Sequence, residues 1–117
     1  VSITSTNGNI VANKIDTNLL SSGFGTGGPI NITANNGSVT TKDIASFTQA
    51  TATETIGNAG EININAKNDI NTGVLRAFSV NDGNGNAGKG GNISLNSTSG
   101  NITAGSLNSY SQVTAFK

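Results

Sequence analysis

The chain has 117 residues, of which 33% are hydrophobic and 10% charged, and its formal net charge is zero. It has no cysteine or histidine, which excludes a disulfide framework, His/Cys zinc sites and Cys or His nucleophiles. Its few basic residues form no cluster, so nucleic-acid binding is disfavoured, and no apolar run is long enough for a transmembrane helix, so no membrane insertion is expected.

Four β-like tripeptides recur along the chain. They are Val1-Ser2-Ile3, Ile30-Asn31-Ile32, Ile62-Asn63-Ile64 and Ile93-Ser94-Leu95. Their first residues are 29, 32 and 31 positions apart. The alternation within them has period two, which predicts strands.

Further apolar positions follow each tripeptide at nearly constant offsets. They predict one column of Ile10, Val39, Ile70 and Ile102, a second of Ile15, Ile44, Leu75 and Leu107, and an aromatic stack of Phe47, Phe78 and Tyr110, with Asn18 at that place in the first copy. A repeat that keeps apolar positions while other residues change is typical of a solenoid, whose units bury their faces only against their neighbours.

The segments between these positions carry turn and loop signals. Asn-Gly or a similar turn follows each tripeptide, and we interpret it as a bend between successive strands of one coil rather than a hairpin, since a hairpin would not need the register to recur. The Gly-rich stretches, such as 23–28, 57–60 and 83–91, are interpreted as a loosely conserved outer loop, with a possible third strand over 79–81.

These features predict an all-β fold, a parallel β-helix (β-solenoid) of about four coils of 29–32 residues and two or three strands each. The chain is expected to be a single solenoid segment, 1–117, with repeats at approximately 1–28, 29–60, 61–91 and 92–117. Neither end carries a visible polar cap. We therefore expect a segment of a longer array, whose ends stack on neighbouring coils or on other copies of the same protein.

Two phrases carry a family resemblance. Gly-Asn-Ala-Gly-Glu-Ile-Asn-Ile-Asn-Ala (57–66) and Gly-Lys-Gly-Gly-Asn-Ile-Ser-Leu-Asn-Ser (88–97) are followed by Ile-Asn-Thr-Gly and Ile-Thr-Ala-Gly. They resemble the repeats of filamentous-haemagglutinin-like bacterial exoproteins and adhesins exported by two-partner secretion, especially those of cyanobacteria. The resemblance covers essentially the whole chain. It implies a right-handed β-helix that is secreted or displayed at the bacterial cell surface, with no catalytic residue.

Two loop motifs resemble known binding sites in part. Residues 83–89 match phosphate-binding patterns, but a strand follows them where a helix is required, so an inter-strand loop is favoured. Asp82, Asn84 and Asn86 place oxygens at alternate positions, as calcium loops do, yet the sixth and twelfth positions hold Ala87 and Ile93. A solvated loop is favoured over a weak calcium site, and we predict no metal site and no cofactor.

The acids do not suggest a catalytic cleft. They are Asp16, Asp43, Glu54, Glu61, Asp69 and Asp82. In the repeat register no two share a column, whereas β-helical glycosidases need converging carboxylates. Asp69 aligns with either Asn9 or Gly37.

We therefore expect no catalytic residue and no enzyme activity. The expected function is a structural or adhesive stalk that contributes to adhesion, a surface layer, a matrix or a filament, with surface glycans or other cell-surface proteins as further partners. The alternative is a carbohydrate-binding or carbohydrate-processing β-helix whose active groove lies outside this segment. A recurring carboxylate or an exposed aromatic row on one face would distinguish them, and the sequence indicates neither.

Overall fold

The computed structural model describes residues 1–20 and 25–114, and every regular element in this part of the chain is a β-strand. The strands are β1 (Ser2–Ser5), β2 (Ile10–Val11), β3 (Ile15–Asp16), β4 (Leu19–Leu20), β5 (Ile30–Ala34), β6 (Val39–Thr40), β7 (Ile44–Ala45), β8 (Thr48–Ala50), β9 (Ile62–Ala66), β10 (Ile70–Asn71), β11 (Leu75–Arg76), β12 (Ser79–Asn81), β13 (Ile93–Ser97), β14 (Ile102–Thr103), β15 (Leu107–Asn108) and β16 (Ser111–Val113).

The strands form four parallel sheets, and each coil contributes one strand to each sheet. Sheet 1 has the order β1-β5-β9-β13, and the other three sheets follow the same progression, β2-β6-β10-β14, β3-β7-β11-β15 and β4-β8-β12-β16. All pairing joins successive coils and all of it is parallel. The prediction of a parallel β-solenoid is confirmed, and the Asn-Gly turns are bends within a coil.

Two counts differ slightly from the prediction. The solenoid makes about three complete turns rather than four. Each sheet has four strands, and one complete turn separates each strand from the next. Each coil holds four strands rather than two or three, because corners of three or four residues divide the part of the repeat with the apolar columns into three short strands, and a fourth strand follows them. The strand predicted at 79–81 is β12.

The predicted columns lie in register inside the coil. Ile30 pairs with Ile62, and Ile62 with Ile93, while Ile32 pairs with Ile64 and Ile64 with Leu95. The columns of Ile10 and Ile15 continue in the same way through all four coils. Their members in the two middle coils are completely buried. Apolar burial on the inward positions is therefore the main source of stability.

The molecule is elongated across the coil rather than along the solenoid axis. Its dimensions are 51 × 20 × 19 Å. Adjacent strands are about 4.8 Å apart, so four stacked strands rise only about 14 Å between the first and the last. The long dimension therefore runs across the coil, and a rod would require many more coils of this kind.

The Gly-rich stretches are not a loose outer loop, which corrects the expectation from sequence. They are return segments (25–29, 51–61 and 82–92) that fold back along the strands of sheet 4 and stack on one another. The Ile56 N–H donates to Asn86 O at 3.0 Å, and the Ala59 N–H donates to Lys89 O at 2.9 Å. Ile56 and Ala59 are also buried. Sequence similarity is low here because backbone atoms, rather than side chains, make the contacts.

Buried hydroxyl groups fasten the return segments to the opposite wall of the coil. The Ser46 Oγ donates to Gly60 O at 2.6 Å, and the Gly60 N–H donates back to Ser46 O at 2.9 Å. The first coil repeats this exchange between Thr17 and Gly28. One lobe of the interior is therefore polar and fully hydrogen-bonded, since Thr48, Ser79 and Asn81 are buried there as well.

The glycines of the return segments are required by close backbone approach. A Cβ atom at Gly60 would collide with the carbonyl oxygens of Gly27 and Gly28, and one at Gly91 would collide with the carbonyl of Gly60. No glycine in the described residues has positive φ, so the requirement concerns space between coils and not backbone conformation.

Replacing Ile64 by Asp should destabilise the fold by about 3–5 kcal/mol, because a carboxylate would be buried without a partner. The melting temperature should fall by about 10 °C or more. Asn65→Asp is the matched control, since Asn65 is the next residue of β9 and is exposed. Equal melting temperatures for the two variants would contradict the inward and outward assignment.

Gly60→Ala should cost about 1–3 kcal/mol, because the added methyl group forces two coils apart. Gly8→Ala is the control, since the nearest atom to its added Cβ is Ser5 Oγ at an ordinary 3.7 Å. Urea unfolding followed by circular dichroism measures both variants. A Gly60→Ala variant as stable as the unmodified chain would show that the return segments are not tightly packed.

Candidate functional site

A side-chain ladder runs along the turn that precedes the second strand of each coil. Asn9 Oδ1 accepts from the Ser38 N–H at 2.8 Å, the Asp69 N–H donates to Ser38 Oγ at 3.2 Å, and Asp69 Oδ1 accepts from the Asn101 N–H at 2.9 Å. Asp69 therefore shares a column with Asn9 and not with Gly37. In this column the Asp69 carboxylate accepts a hydrogen bond from the next coil, as the Asn9 amide and the Ser38 hydroxyl group do.

The outer face of sheet 1 is polar and uncharged. Ser2, Asn31, Asn63 and Ser94 form one outward row, and Thr4, Thr33, Asn65 and Asn96 form the other. The Asn63 Nδ2 donates to Asn31 Oδ1 at 3.0 Å along the first row. Amide and hydroxyl groups at strand spacing make this face suited to hydrogen bonding with neutral polar ligands.

A shallow groove of about 360 Å³ lies beside this face, where sheet 1 ends and the turn begins. It is lined by Thr33, Ala34, Asn35, Asn36, Asn65, Ala66, Lys67, Asn96 and Thr98. Lys67 is its one charged residue, so the groove offers hydrogen bonds but no pair of carboxylates for acid–base chemistry.

The predicted aromatic stack is confirmed, but it stands on the outside of the coil. The rings of Phe47 and Phe78 have centroids 4.6 Å apart and planes 12° apart, and Phe78 and Tyr110 are related by 5.0 Å and 13°. Phe47 lies between Ser46 and Thr48, which are buried and face the return segment, so its ring points the other way. The expectation that no aromatic row lies on the surface is therefore wrong.

This aromatic row differs from the platforms that bind sugars. Such platforms offer a ring face to the ligand, whereas here each inner ring face is covered by the neighbouring ring. Solvent meets the ring edges, and Phe47 and Phe78 are half-buried. At the end of the row Tyr110 is 42% exposed. The row therefore stabilises the register of the coils.

The Asp82 carboxylate connects three coils. It accepts from the Gln49 Nε2 at 3.1 Å in the preceding coil and from the Thr114 Oγ1 in the following one. The hydrogen bond from Thr114, and then that from Gln49, lower the pKa of Asp82 below its ordinary value. Among the residues described by the structure, no group of three or more His, Cys, Asp or Glu side chains could hold a metal ion.

The glycines of the phosphate-like motif are explained by packing between coils. A Cβ atom at Gly83 would meet the backbone of Ala52, one at Gly85 the backbone of Glu54, and one at Gly88 the backbone of Gly57. The Gly85 N–H donates to Ala52 O at 2.8 Å. This N–H is therefore engaged with the neighbouring coil rather than directed at a phosphate.

The remaining acids with described partners are tied to nearby groups. Asp16 lies 3.5 Å from Lys14, and Asp43 lies 3.6 Å from Arg76. Asp43 Oδ1 also accepts from the Val74 N–H at 2.8 Å. Both ion pairs are solvent-exposed and contribute little to stability.

The sequence did not indicate the hydroxyl contacts, the turn ladder or the outward direction of the aromatic row. The aligned residues Thr17, Ser46, Ala77 and Ser109 could have suggested the hydroxyl contacts, since three of the four carry a hydroxyl group. Ala77 has no hydroxyl group to donate to the return segment of its own coil. The Ser109 Oγ of the following coil donates to Gly91 O in that segment instead.

No helix within residues 1–20 and 25–114 is long and apolar enough to cross a bilayer. No family model, curated protein or solved structure matches this chain. The resemblance to filamentous-haemagglutinin-like repeats therefore stays a prediction.

Asp82→Asn should lower stability slightly at neutral pH, by less than about 1 kcal/mol, because the site is exposed. A lowered folded pKa stabilises the fold above the ordinary value of 3.8, and this contribution is lost as the pH falls through the folded value. The difference in melting temperature between the two proteins should therefore be largest at neutral pH and shrink as the pH falls below 3.8. An unchanged difference in acid would contradict the role of the charged carboxylate.

Proposed function

We propose that the chain is a non-catalytic structural segment of a large secreted or cell-surface bacterial exoprotein, in which it forms part of an adhesive β-helical stalk. The continuous register of the coils carries this proposal. Backbone pairing, apolar columns, the turn ladder and the aromatic row all run from coil to coil along the same axis. Most of these interactions therefore join one coil to the next.

This arrangement suits a load-bearing element. The inter-strand hydrogen bonds lie along the solenoid axis, so tension along that axis is shared by four sheets and by the stacked return segments. Stability in such an array depends on contacts between nearest neighbours. A longer array of the same coils would extend without requiring any new kind of interaction.

The outer surface supports an adhesive role. The Asn, Ser and Thr rows of sheet 1 and the groove beside Asn65 present neutral hydrogen-bonding groups, which suit surface glycans or the polar surfaces of other cell-surface proteins. Contact over many coils would sum weak interactions into useful avidity.

The polar side chains support a role without catalysis. Asp69 and Asp82 link neighbouring coils, and Asp43 binds both Arg76 and the Val74 N–H. These carboxylates act on backbone and side-chain groups of the same protein. No cofactor is part of the proposal.

The alternative, a carbohydrate-binding or carbohydrate-processing β-helix, gains one observation. An aromatic row stands on the surface, and Tyr110 keeps one ring face without a stacked ring partner. The covered faces of Phe47 and Phe78 weigh against sugar stacking along the row.

Two measurements on the intact chain test the proposal. Stretching the chain by its termini should show resistance followed by lengthening in steps of about one coil, as expected for a nearest-neighbour array. The Ile64→Asp variant should lose this resistance, while Asn65→Asp should keep it. Extension of the unmodified chain without resistance would contradict a load-bearing role.

Incubation with neutral and acidic polysaccharides, followed by measurement of released reducing ends, tests the alternative. We expect no cleavage. Cleavage by the unmodified chain that disappears in Asp43→Asn would overturn the structural proposal, and retention on a polysaccharide column that depends on Tyr110 would favour the alternative.

A further inference from the structure

The groove beside sheet 1 lies where one corner of the solenoid is a residue shorter than its neighbours. The corner between the first two strands of a coil has four residues in the second and fourth coils (35–38 and 98–101) but three in the third (67–69). Two adjacent residues of the short corner, Lys67 and Asn68, donate their N–H groups to carbonyls three residues apart in the second coil. The short corner therefore leaves a recess inside the array, with a longer corner on each side.

The polar side chains of this groove are free to bind a ligand. Elsewhere on the surface such groups bond to one another, as the Asn63 Nδ2 does to Asn31 Oδ1 at 3.0 Å. Within the residues that the structure describes, the side chains of Thr33, Asn65 and Asn96 form no hydrogen bond to another group of the chain. Both amides are exposed. Each offers an acceptor oxygen and an NH₂ donor, so each can bind a hydroxyl group, which also donates and accepts.

Lys67 gives the groove a positive charge. Its side chain is exposed and, in the part of the chain that the structure describes, it belongs to no ion pair. The nearest acid along the chain, Asp69, stands outside the groove lining and accepts from the Asn101 N–H at 2.9 Å. The groove therefore presents an ammonium group without a counter-charge, and the carboxylate of a ligand would form a charge-assisted hydrogen bond with it.

The groove does not suit a peptide or a nucleic acid. It opens on the face of sheet 1, where β5 and β9 are paired with each other and with a further strand on either side, so it offers no free edge to an added peptide strand. Its two apolar residues, Ala34 and Ala66, are buried and form no pocket for a side chain. A single cation in a lining without an aromatic ring is a poor match for nucleic acid. A ligand rich in hydroxyl groups fits the groove better.

We propose that this groove binds an extended acidic polysaccharide that runs along the solenoid axis. A uronate carboxylate would accept from the Lys67 Nζ, and hydroxyl groups of adjacent sugar units would bond to the amides of Asn65 and Asn96. The strands of neighbouring coils are about 4.8 Å apart, which is close to the length of one sugar unit in an extended chain. The volume of about 360 Å³ is within the usual range for ligand clefts.

This inference rests on the proposed adhesive function, since it names the class of surface glycan that the stalk would hold. A neutral glycan would use the amides of Asn65 and Asn96 but gain nothing from Lys67, so the charge of the ligand is the property to vary. Resistance to stretching depends on contacts between coils and not on the Lys67 side chain. The stalk and the glycan site are therefore tested by separate measurements.

Titration of the intact chain, followed by nuclear magnetic resonance, tests the inference. The probes are a tetramer of galacturonic acid and its methyl ester, which keeps the same ring hydroxyl groups but carries no charge. The acid should bind about threefold more tightly than the ester, as expected for one exposed ion pair. The largest shifts should fall on the backbone amides of Asn65, Lys67 and Asn96. Equal binding of the two probes, or shifts centred away from the groove, would overturn the proposal.

Two variants with matched controls separate the charge from the hydrogen bonds. Lys67→Gln should bind the acid and the ester equally, whereas Lys42→Gln, at an exposed lysine outside the groove lining, should keep the preference for the acid. Asn65→Ala should weaken the binding of both probes by a similar factor, whereas Asn71→Ala, at an exposed position of β10, should weaken neither. Circular dichroism confirms that all four variants are folded.

Two results would count against the assignment. A preference for the acid that survives Lys67→Gln would show that the carboxylate does not bind at Lys67. Tighter binding of pentaglutamate than of the galacturonic acid tetramer would show that the groove recognises an acidic peptide rather than a polysaccharide. In either case the resistance of the chain to stretching would still stand as the test of the stalk.

Discussion

Register between coils is the constraint on which the rest of the structure depends. Parallel backbone pairing fixes each residue beside the equivalent residue of the next coil, at about one strand spacing. A shift of one residue would turn every inward side chain outward. Like therefore stacks on like: Ile32 on Ile64, Ile70 on Ile102, and Phe47 on Phe78. The apolar columns are a consequence of this geometry and also hold it in place.

The same constraint explains the composition of the return segments. A coil of this shape must bring its chain back along the strands of sheet 4, and the space between the two walls is narrow. Glycine allows the carbonyl of Gly28 to approach Gly60, and hydroxyl groups such as that of Ser46 satisfy the buried backbone from inside the coil. Segments that vary in sequence are thus tightly ordered, because their contacts belong to the backbone.

The register also determines what the surface can do. Asp69 and Asp82 are directed into contacts between coils, and the aromatic rings cover one another's faces. The outward Asn and Thr rows of sheet 1 remain available. These features suit extended contact with polar surfaces, and they support the proposed structural role.

The apolar repeat by itself determined the parallel solenoid, the four internal columns and the aromatic stack. Positions that are buried at a regular interval carry apolar residues at the same interval. It also indicated that the acids do not converge, since their positions in the repeat differ. Only the tertiary structure decided that the Gly-rich stretches are packed return segments, that Asp69 belongs beside Asn9, and that the rings of Phe47 and Phe78 face outward. Each of these depends on backbone contacts or on corners of two to four residues, which a repeat of residue types does not record.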